Sequence, residues 1–391
     1  MIPFEEALRI IASQPLSGGT EEISFSESLG KVLAEGVFSD MDMPPFDKSA
    51  MDGYACRSKD AHQPMVVIEE IPAGKMPQLS LAPGTCSRIF TGAPLPVGAD
   101  CVLMDEEVKL DEEGRVVFLK KETKPNICYR GEDVKAGTLL IAPGTLIRPE
   151  HIAIMASAGA VRVKTALLPL IGVFSTGNEL TEPSVKPEGS QIRNSNGFQV
   201  VAQLQQAGFP AEYLGIIPDR AEDTEYAVRG ALVYKDIVVL TGGVSMGDYD
   251  FVPEVMERCG VEILFHHLAV QPGKPSLFGK TRNNRYVFGL PGNPVSSFIQ
   301  TELLVKLLCY RIQGHTPDIP RIMLPMGVTY GRKRATRKSF IPVRIADSKV
   351  FPVEYHGSAH IQALNGVHGI IAMDPGQEFI AEGEAVHVRL F

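Results

Sequence analysis

From residue 166 to residue 312 the chain alternates short apolar runs with segments of helical length, and each apolar run ends in a polar or glycine-rich stretch. LeuLeuProLeuIleGlyValPhe (167–174), TyrLeuGlyIleIle (213–217), AspIleValValLeu (236–240) and TyrValPheGlyLeu (286–290) read as buried strands. Helices are predicted over 194–207 (ended by Gly208), 221–233, 251–258 and 295–312. Strands alternating with helices of this length imply βαβ units and a mostly parallel sheet.

Open α/β sheets bind ligands beyond the carboxyl ends of their strands. The stretches 174–179, 217–219, 241–250 and 289–294 all fall there. Gly242, Gly243 and Gly292 let backbone amides approach a ligand closely, which suits phosphate. The helix after Asn293 opens with Pro294, Val295, Ser296 and Ser297 and offers an anion site at its N-terminus. Glu179, Asp219, Asp248 and Asp250 supply carboxylates on the same rim, as a magnesium-bridged phosphate requires. A glycine after a strand is usually a turn, and an aspartate before a helix usually its cap. Four such signals on one edge favour a ligand site.

The rest of the chain has a different texture. Residues 3–13 form an amphipathic helix, with Pro3 in its first turn and Phe4, Ala7, Leu8 and Ile11 in one stripe. From about 37 to 147 short strand-like runs are separated by glycine and proline, and a second helix starts at Pro149 and stops at Gly159. After Gly314 a linker with Pro317 and Pro320 leads to a last set of short strands. With 44% hydrophobic residues the chain can build cores of this kind, and a net charge of -8 gives no basic field for nucleic acid. The six cysteines, widely spread and without a CxxC pair, read as reduced thiols. Glu5 and Glu6 stand where a signal peptide carries positive charge, and no apolar run reaches membrane-spanning length. The expectation is a cytoplasmic protein.

Several motifs are set aside. In 273–281 the glycines stand six apart where a P-loop needs five, and the segment precedes a strand. GlyValSerMetGly (243–247) matches a nucleophile elbow in letters, but Asp248, Asp250 and Pro253 delay the next helix, so a serine hydrolase acting through Ser245 is a minor reading. Gly357 and Ser358 between His356 and His360 argue against a zinc-binding helix. His266 and His267, adjacent on a strand, are expected on opposite faces. The basic run 332–338 reads as a solvated loop. Residues 42–55, 88–96 and 130–134 are irregular, charged and proline-rich, the texture of functional loops or hinges.

Taken together, ProProPheAspLysSerAlaMetAspGlyTyrAla, ArgIlePheThrGlyAlaProLeuPro, ArgGlyGluAspVal, PheSerThrGlyAsnGluLeu, ThrGlyGlyValSerMetGlyAspTyrAsp, ProGlyLysPro and GlyLeuProGlyAsnProValSer resemble the MoeA/gephyrin family, the molybdopterin molybdenumtransferases. The resemblance implies an elongated, multidomain α/β plus β subunit. Its parts would be a discontinuous N-terminal linker domain (1–40 and 132–165), an inserted β-rich domain (41–131), a MogA-like α/β molybdopterin-binding domain (166–316) and a small β-barrel-like C-terminal domain (317–391). It also implies a homodimer whose cleft lies between the α/β domain of one subunit and the inserted domain of the other. A MogA-type adenylyltransferase is a candidate partner, and neither nucleic acid nor membrane is expected.

The implied reaction inserts molybdate into adenylylated molybdopterin and releases AMP with Mg2+. Family positions match Asp52, Thr91, Asp133, Glu179, Asp219 and Asp250 as catalytic, with Glu179, Asp219 and Asp250 on the metal. Gly242, Gly243, Ser245, Lys274, Pro291, Gly292, Asn293, Pro294, Ser296 and Ser358 are assigned to the cofactor. Where well-known members carry lysines and an arginine, this chain has His267, Gln271 and Pro342. Lys274, Arg344 or a protonated His267 would then supply the cation for the oxyanion. Two rival functions remain, adenylylation of molybdopterin and a non-catalytic cofactor-binding scaffold.

Overall fold

The computed structural model describes residues 1–16, 19–243, 252–353 and 360–391. Its centre is a six-stranded sheet in the order Ala211–Ile217, Ile171–Thr176, Ile237–Thr241, Tyr286–Leu290, Leu277–Thr281, Val261–His266. The first four strands run parallel, as the strand–helix alternation predicts. The last two are antiparallel additions. Only residues 282–285 join Leu277–Thr281 to Tyr286–Leu290, too few for a crossover, so that pair closes as a hairpin.

Alternate residues of the central strands face two separate cores. Ile171, Val173, Ile237, Val239, Tyr286, Phe288 and Leu290 pack under the helices Asn196–Gln206 and Pro294–Gln300. Phe174, Val238, Leu240 and Val287 pack under Ala221–Ala231 and Val252–Arg258. The last helical run is interrupted by a wide π turn at Thr301–Val305. There the carbonyl of Glu302 accepts a hydrogen bond from Arg389 at 2.6 Å, tying the C-terminal strand to the α/β body. Burial of that guanidinium lowers its pKa to about 10.

The helix Phe4–Ala12 buries its predicted stripe, but against this α/β body: Phe4, Ala7 and Ile11 join the cluster of Leu308, Cys309, Ile312 and Phe340. Ile2 bridges to Leu268, and Glu5 pairs with Lys338 at 2.6 Å. The segment 1–40 therefore divides its contacts between two bodies. Its later part pairs Thr20–Ser24 with Arg162–Ala166 and Val37–Phe38 with Leu139–Ile141, around Leu33, Val37, Ile141, Ile147, Met155 and Val163. These two antiparallel pairs bring the chain back to where it left, so that the intervening residues form a separate lobe. That lobe holds a four-stranded sheet in the order Val66–Ile71, Thr85–Ile89, Gly53–Cys56, Cys101–Met104.

The C-terminal strands form a sheet in the order Val270–Gln271, Lys338–Ala346, Gly369–Met373, Ala385–Leu390, Arg321–Pro325. Its first strand comes from the α/β body. The basic run 332–338 is more than a solvated loop: Arg332 donates to the carbonyls of Gln377 and Arg337 at 2.7 Å, Arg337 to Val270 at 3.0 Å, and Lys338 meets Asp374 at 2.8 Å. A folded monomer of 42.5 kDa exposes roughly 15,000 Å², whereas this chain exposes 19802 Å², as an elongated multidomain subunit does. No described helix is long and apolar enough to cross a membrane.

Gly53 shows how tightly the inserted sheet is drawn. A Cβ there would lie 1.9 Å from the carbonyl oxygen of Leu103. Gly53→Ala is expected to destabilise the inserted lobe by about 3 kcal/mol, read as a shifted early transition in urea unfolding.

Candidate functional site

The carboxyl ends of the four parallel strands make one continuous rim. The first strand in sequence, 171–176, lies between 211–217 and 237–241, so the chain reverses direction across the sheet at this point and opens a crevice there. Gly242 and Gly243 follow strand 237–241 with φ of 99° and 68°. A Cβ on Gly242 would sit 2.5 Å from the carbonyl oxygen of Thr176. Position 242 therefore needs glycine both for its left-handed backbone and for the close approach of two strand ends. The amide of Gly242 donates to Leu290 at 3.0 Å, and the carbonyl of Gly292 accepts from Asn196 Nδ2 at 2.6 Å. Pro291, Gly292, Asn293 and Pro294 thus form the next stretch of rim, with Pro294 in the first turn of the helix and Ser296 buried beneath it.

On the other side of the crevice one predicted metal carboxylate, Asp219, is anchored next to the loop that carries another, Glu179. Asp219 Oδ2 accepts from the Asn178 amide at 3.1 Å, and Asn178 Oδ1 accepts from the Asp219 amide at 3.1 Å. This reciprocal pair fixes the ends of two neighbouring strands and places Asp219 beside Glu179, whose carboxylate folds back over Gly177. Glu179 is exposed and Asp219 half-buried. Carboxylates on the loops after two neighbouring strands are of the kind magnesium takes, one or two from the protein with phosphate and water completing its shell. Among the described residues no group of three or more metal-ligating side chains occurs. Asp250 and Ser245 on this rim, and Ser358 in the last domain, lie outside the described residues, as do Asp248 and His356.

In the inserted lobe Asp52 and Thr91 form a second centre. Asp52 Oδ1 accepts from both the amide and the hydroxyl of Thr91, each at 2.7 Å. These two hydrogen bonds, with the nearby Arg88, hold the exposed Asp52 carboxyl below its usual range. Arg88 grips Asp105 through both carboxylate oxygens and lies 4.9 Å from the Tyr54 ring centroid and 5.0 Å from that of Phe90. Among the described residues no hydrogen bond or ion pair joins Asp52, Thr91 or Asp133 to the rim of the same chain. Asp133 is exposed, and its amide donates to Met43 at 3.1 Å beside the network of Asp42 and Arg130.

The expected cation positions are more sharply defined than the residues alone allowed. His266 and His267 do not point to opposite faces. His267 takes φ 76°, which ends the strand and stacks the two rings with centroids 3.9 Å apart. Burial, then the charges of His266 and Lys274, lower the pKa of His267. That opposes a protonated His267 as oxyanion ligand and favours Lys274, which is half-exposed and, among the described residues, has no hydrogen bond or ion pair to its ammonium. Arg344 is engaged with the carbonyl of Asn365 at 3.0 Å. Asn178, Asn196 and Arg88 were not singled out from the sequence. Asn178 sits inside a quoted motif, whereas the partners of Asn196 and Arg88 are distant in sequence and carry no local signal.

The geometry defines an α/β body with a glycine-rich rim at its carboxyl edge, joined to an inserted lobe with its own carboxylate centre. Family models match in the same order: the MoeA N-terminal region (domain I and II) over 2–159, a probable molybdopterin binding domain over 172–309 and the MoeA C-terminal region (domain IV) over 330–391. The chain belongs to the MoeA family. It is 33% identical to the molybdopterin molybdenumtransferase of Haemophilus influenzae, covering 100% of this chain and 99% of that one. With the Bacillus subtilis molybdopterin molybdenumtransferase it shares 36% identity over 78% of this chain and 73% of that one. The crystal structure of the molybdopterin biosynthesis MoeA protein from Pyrococcus horikoshii OT3 superposes over 100% of both chains with a TM-score of 0.85 at 28% identity.

Removing the Thr91 hydroxyl leaves one of the two Asp52 hydrogen bonds. Thr91→Val should raise the Asp52 pKa toward the ordinary value of about 3.9, as a carboxyl-resolved NMR titration would report. Because the folded pKa is depressed, the stabilisation from this contact is present above the unfolded value and lost only as pH falls through the folded one. An Asp52 titration unchanged by Thr91→Val would assign the depression to Arg88 and the remaining amide.

Proposed function

We propose that this chain inserts molybdate into adenylylated molybdopterin, with release of AMP. The observation that carries the reading is the rim itself: glycine amides and a helix start on one side of the crevice, and paired carboxylates on the other. The terminal phosphate region of the pterin would rest on the amide of Gly243, beside Gly242 whose own amide is bonded to Leu290, and on the stretch Pro291–Gly292–Asn293–Pro294, with Ser296 beneath it. Glu179 and Asp219, together with Asp250, would hold Mg2+, which when bound neutralises charge on the phosphoanhydride. Lys274 would draw the anionic oxyanion toward the dithiolene. Molybdate would give up an oxygen as water on taking the two dithiolene sulfurs, and water attacking the phosphoanhydride would leave the pterin its phosphate and release AMP.

Asp52 and Thr91 would complete the site from a second subunit, enclosing the adenylate and limiting its hydrolysis. As the family resemblance implies, a homodimer with a shared cleft would bring this centre to the rim of the partner subunit. The rival reading, adenylylation of molybdopterin, needs only the α/β body and leaves the ordered Asp52–Thr91 centre without a task. A pure scaffold leaves the acidic rim unexplained. The division at 41–131, 132–165, 166–316 and 317–391 serves as the working domain scheme, with helix 4–12 docked on the α/β body. A cytoplasmic location fits an enzyme that hands a labile cofactor to other proteins.

The test is a single-turnover assay with purified protein, adenylylated molybdopterin and Mg2+, adding molybdate or tungstate in turn. AMP release that depends on the oxyanion, with the metal retained on the pterin, is the expected outcome. Tight binding of the adenylate without release would support the scaffold. Asp219→Ala and Asp52→Ala are each expected to lower turnover by at least about 100-fold, with sedimentation and melting temperature nearly unchanged. Unfolding of either variant would reassign that carboxylate to a structural role. Mixing the two inactive variants should restore part of the activity if the cleft is shared between subunits. No recovery from subunits proven to exchange would place both groups in one chain's site.

A further inference from the structure

Cys56 and Cys101 form a cross-strand pair in the inserted sheet. Cys56 closes the strand Gly53–Cys56, Cys101 opens the strand Cys101–Met104, and the two residues face each other in antiparallel register. Their sulfurs lie 3.4 Å apart. Both side chains are buried, and the reaction proposed above uses neither. Directly opposed antiparallel residues have Cα atoms about 4.5–5.5 Å apart, within the range that a disulfide spans. A disulfide brings the sulfurs to about 2.0 Å, so side-chain rotation and a small approach of the strands would suffice.

We propose that Cys56 and Cys101 are a reversible oxidation site, a dithiol that closes to an intramolecular disulfide when the protein meets hydrogen peroxide. The hydrogen bond between the thiols favours the thiolate on Cys101, and that interaction outweighs its burial. Burial and the same bond hold Cys56 as a thiol. Cys101, the first residue of the outer strand and next to the exposed Asp100, is the sulfur that peroxide reaches first and hence the attacking one. Its thiolate takes one oxygen of the peroxide, the O–O bond breaks, hydroxide leaves and a sulfenic acid forms. Cys56 gives up its proton and attacks that sulfur, the S–O bond breaks and a second hydroxide leaves. Two thiols lose two electrons in all, and one peroxide becomes two waters.

Access comes from the edge of the sheet. Strand 101–104 is an outer strand, Cys101 is its first residue, and the neighbouring Asp100 is exposed, so opening is local to a strand end. Cys86 shares the cluster, but it makes no hydrogen bond with either sulfur, and burial pushes its thiol up to about 12. Strand 53–56 continues directly from Asp52, and Gly53 sits against the Leu103 carbonyl with no slack. Drawing Cys56 toward Cys101 therefore shifts Asp52 relative to Thr91. This coupling rests on the transferase reading; the disulfide itself does not.

The experiment treats the native full-length protein with stoichiometric hydrogen peroxide, blocks remaining thiols by alkylation and maps the peptides by mass. The expected product lacks two hydrogens in a linked pair containing Cys56 and Cys101, and dithiothreitol reverses it. Cys101→Ser, or Cys101→Ala if the serine variant is unstable, should abolish the link and leave modification of the partly exposed Cys128 and Cys259 as before. A link from Cys56 to Cys86, a link formed only in urea, or oxidation confined to Cys128 and Cys259 would overturn the proposal. In the second arm, single-turnover AMP release should fall several-fold in the linked protein and recover on reduction, while Cys101→Ser stays insensitive. Unchanged release from fully linked protein would overturn the coupling to Asp52 alone.

Discussion

The close approach of strand ends at Thr176, Gly242 and Gly292 is the contact on which the rest of the site depends. Parallel strands deliver their carboxyl ends to one edge, but side chains there would keep them apart. Glycine at 242 removes the obstacle, with its Cα against the Thr176 carbonyl and its amide bonded to Leu290. The close packing of these strand ends is thus a consequence of how the sheet closes.

Around that edge the polar groups are held in pairs. Asn178 and Asp219 exchange hydrogen bonds across two strand ends, Asn196 holds the Gly292 carbonyl, and Thr91 holds Asp52 twice. Each pair fixes a loop that would otherwise lose its geometry to conformational entropy. The carboxylates stay exposed or half-exposed, where a cation can reach them, and the aligned donors give them direction.

The bodies are joined by a small number of specific ties. The π turn at Thr301–Val305 frees the Glu302 carbonyl for Arg389, strand Val270–Gln271 extends the C-terminal sheet, and helix Phe4–Ala12 covers the α/β core. The inserted lobe, by contrast, hangs from paired strands that leave and return together. Among the described residues no hydrogen bond or ion pair joins the two carboxylate centres of one chain.

Local patterns in the sequence determined much of this. Apolar runs ending in Gly242, Gly243 and the 289–294 stretch marked the strands, their carboxyl edge and the phosphate-binding turn, because glycine and alternating burial are properties of a residue and its near neighbours. The motifs around Asp52, Thr91 and Glu179 carried the family. Register, packing and inter-element pairing were decided only by the tertiary structure. Nothing near His267 in the chain signals that its left-handed backbone stacks it on His266, nor that helix 4–12 would leave residues 20–40 to cover another body. Cys56 and Cys101, separated by more than forty residues, looked like unrelated thiols. Side chains that meet across strands are chosen by the sheet's register, which is set by the burial of whole faces and not by the two residues that it brings together.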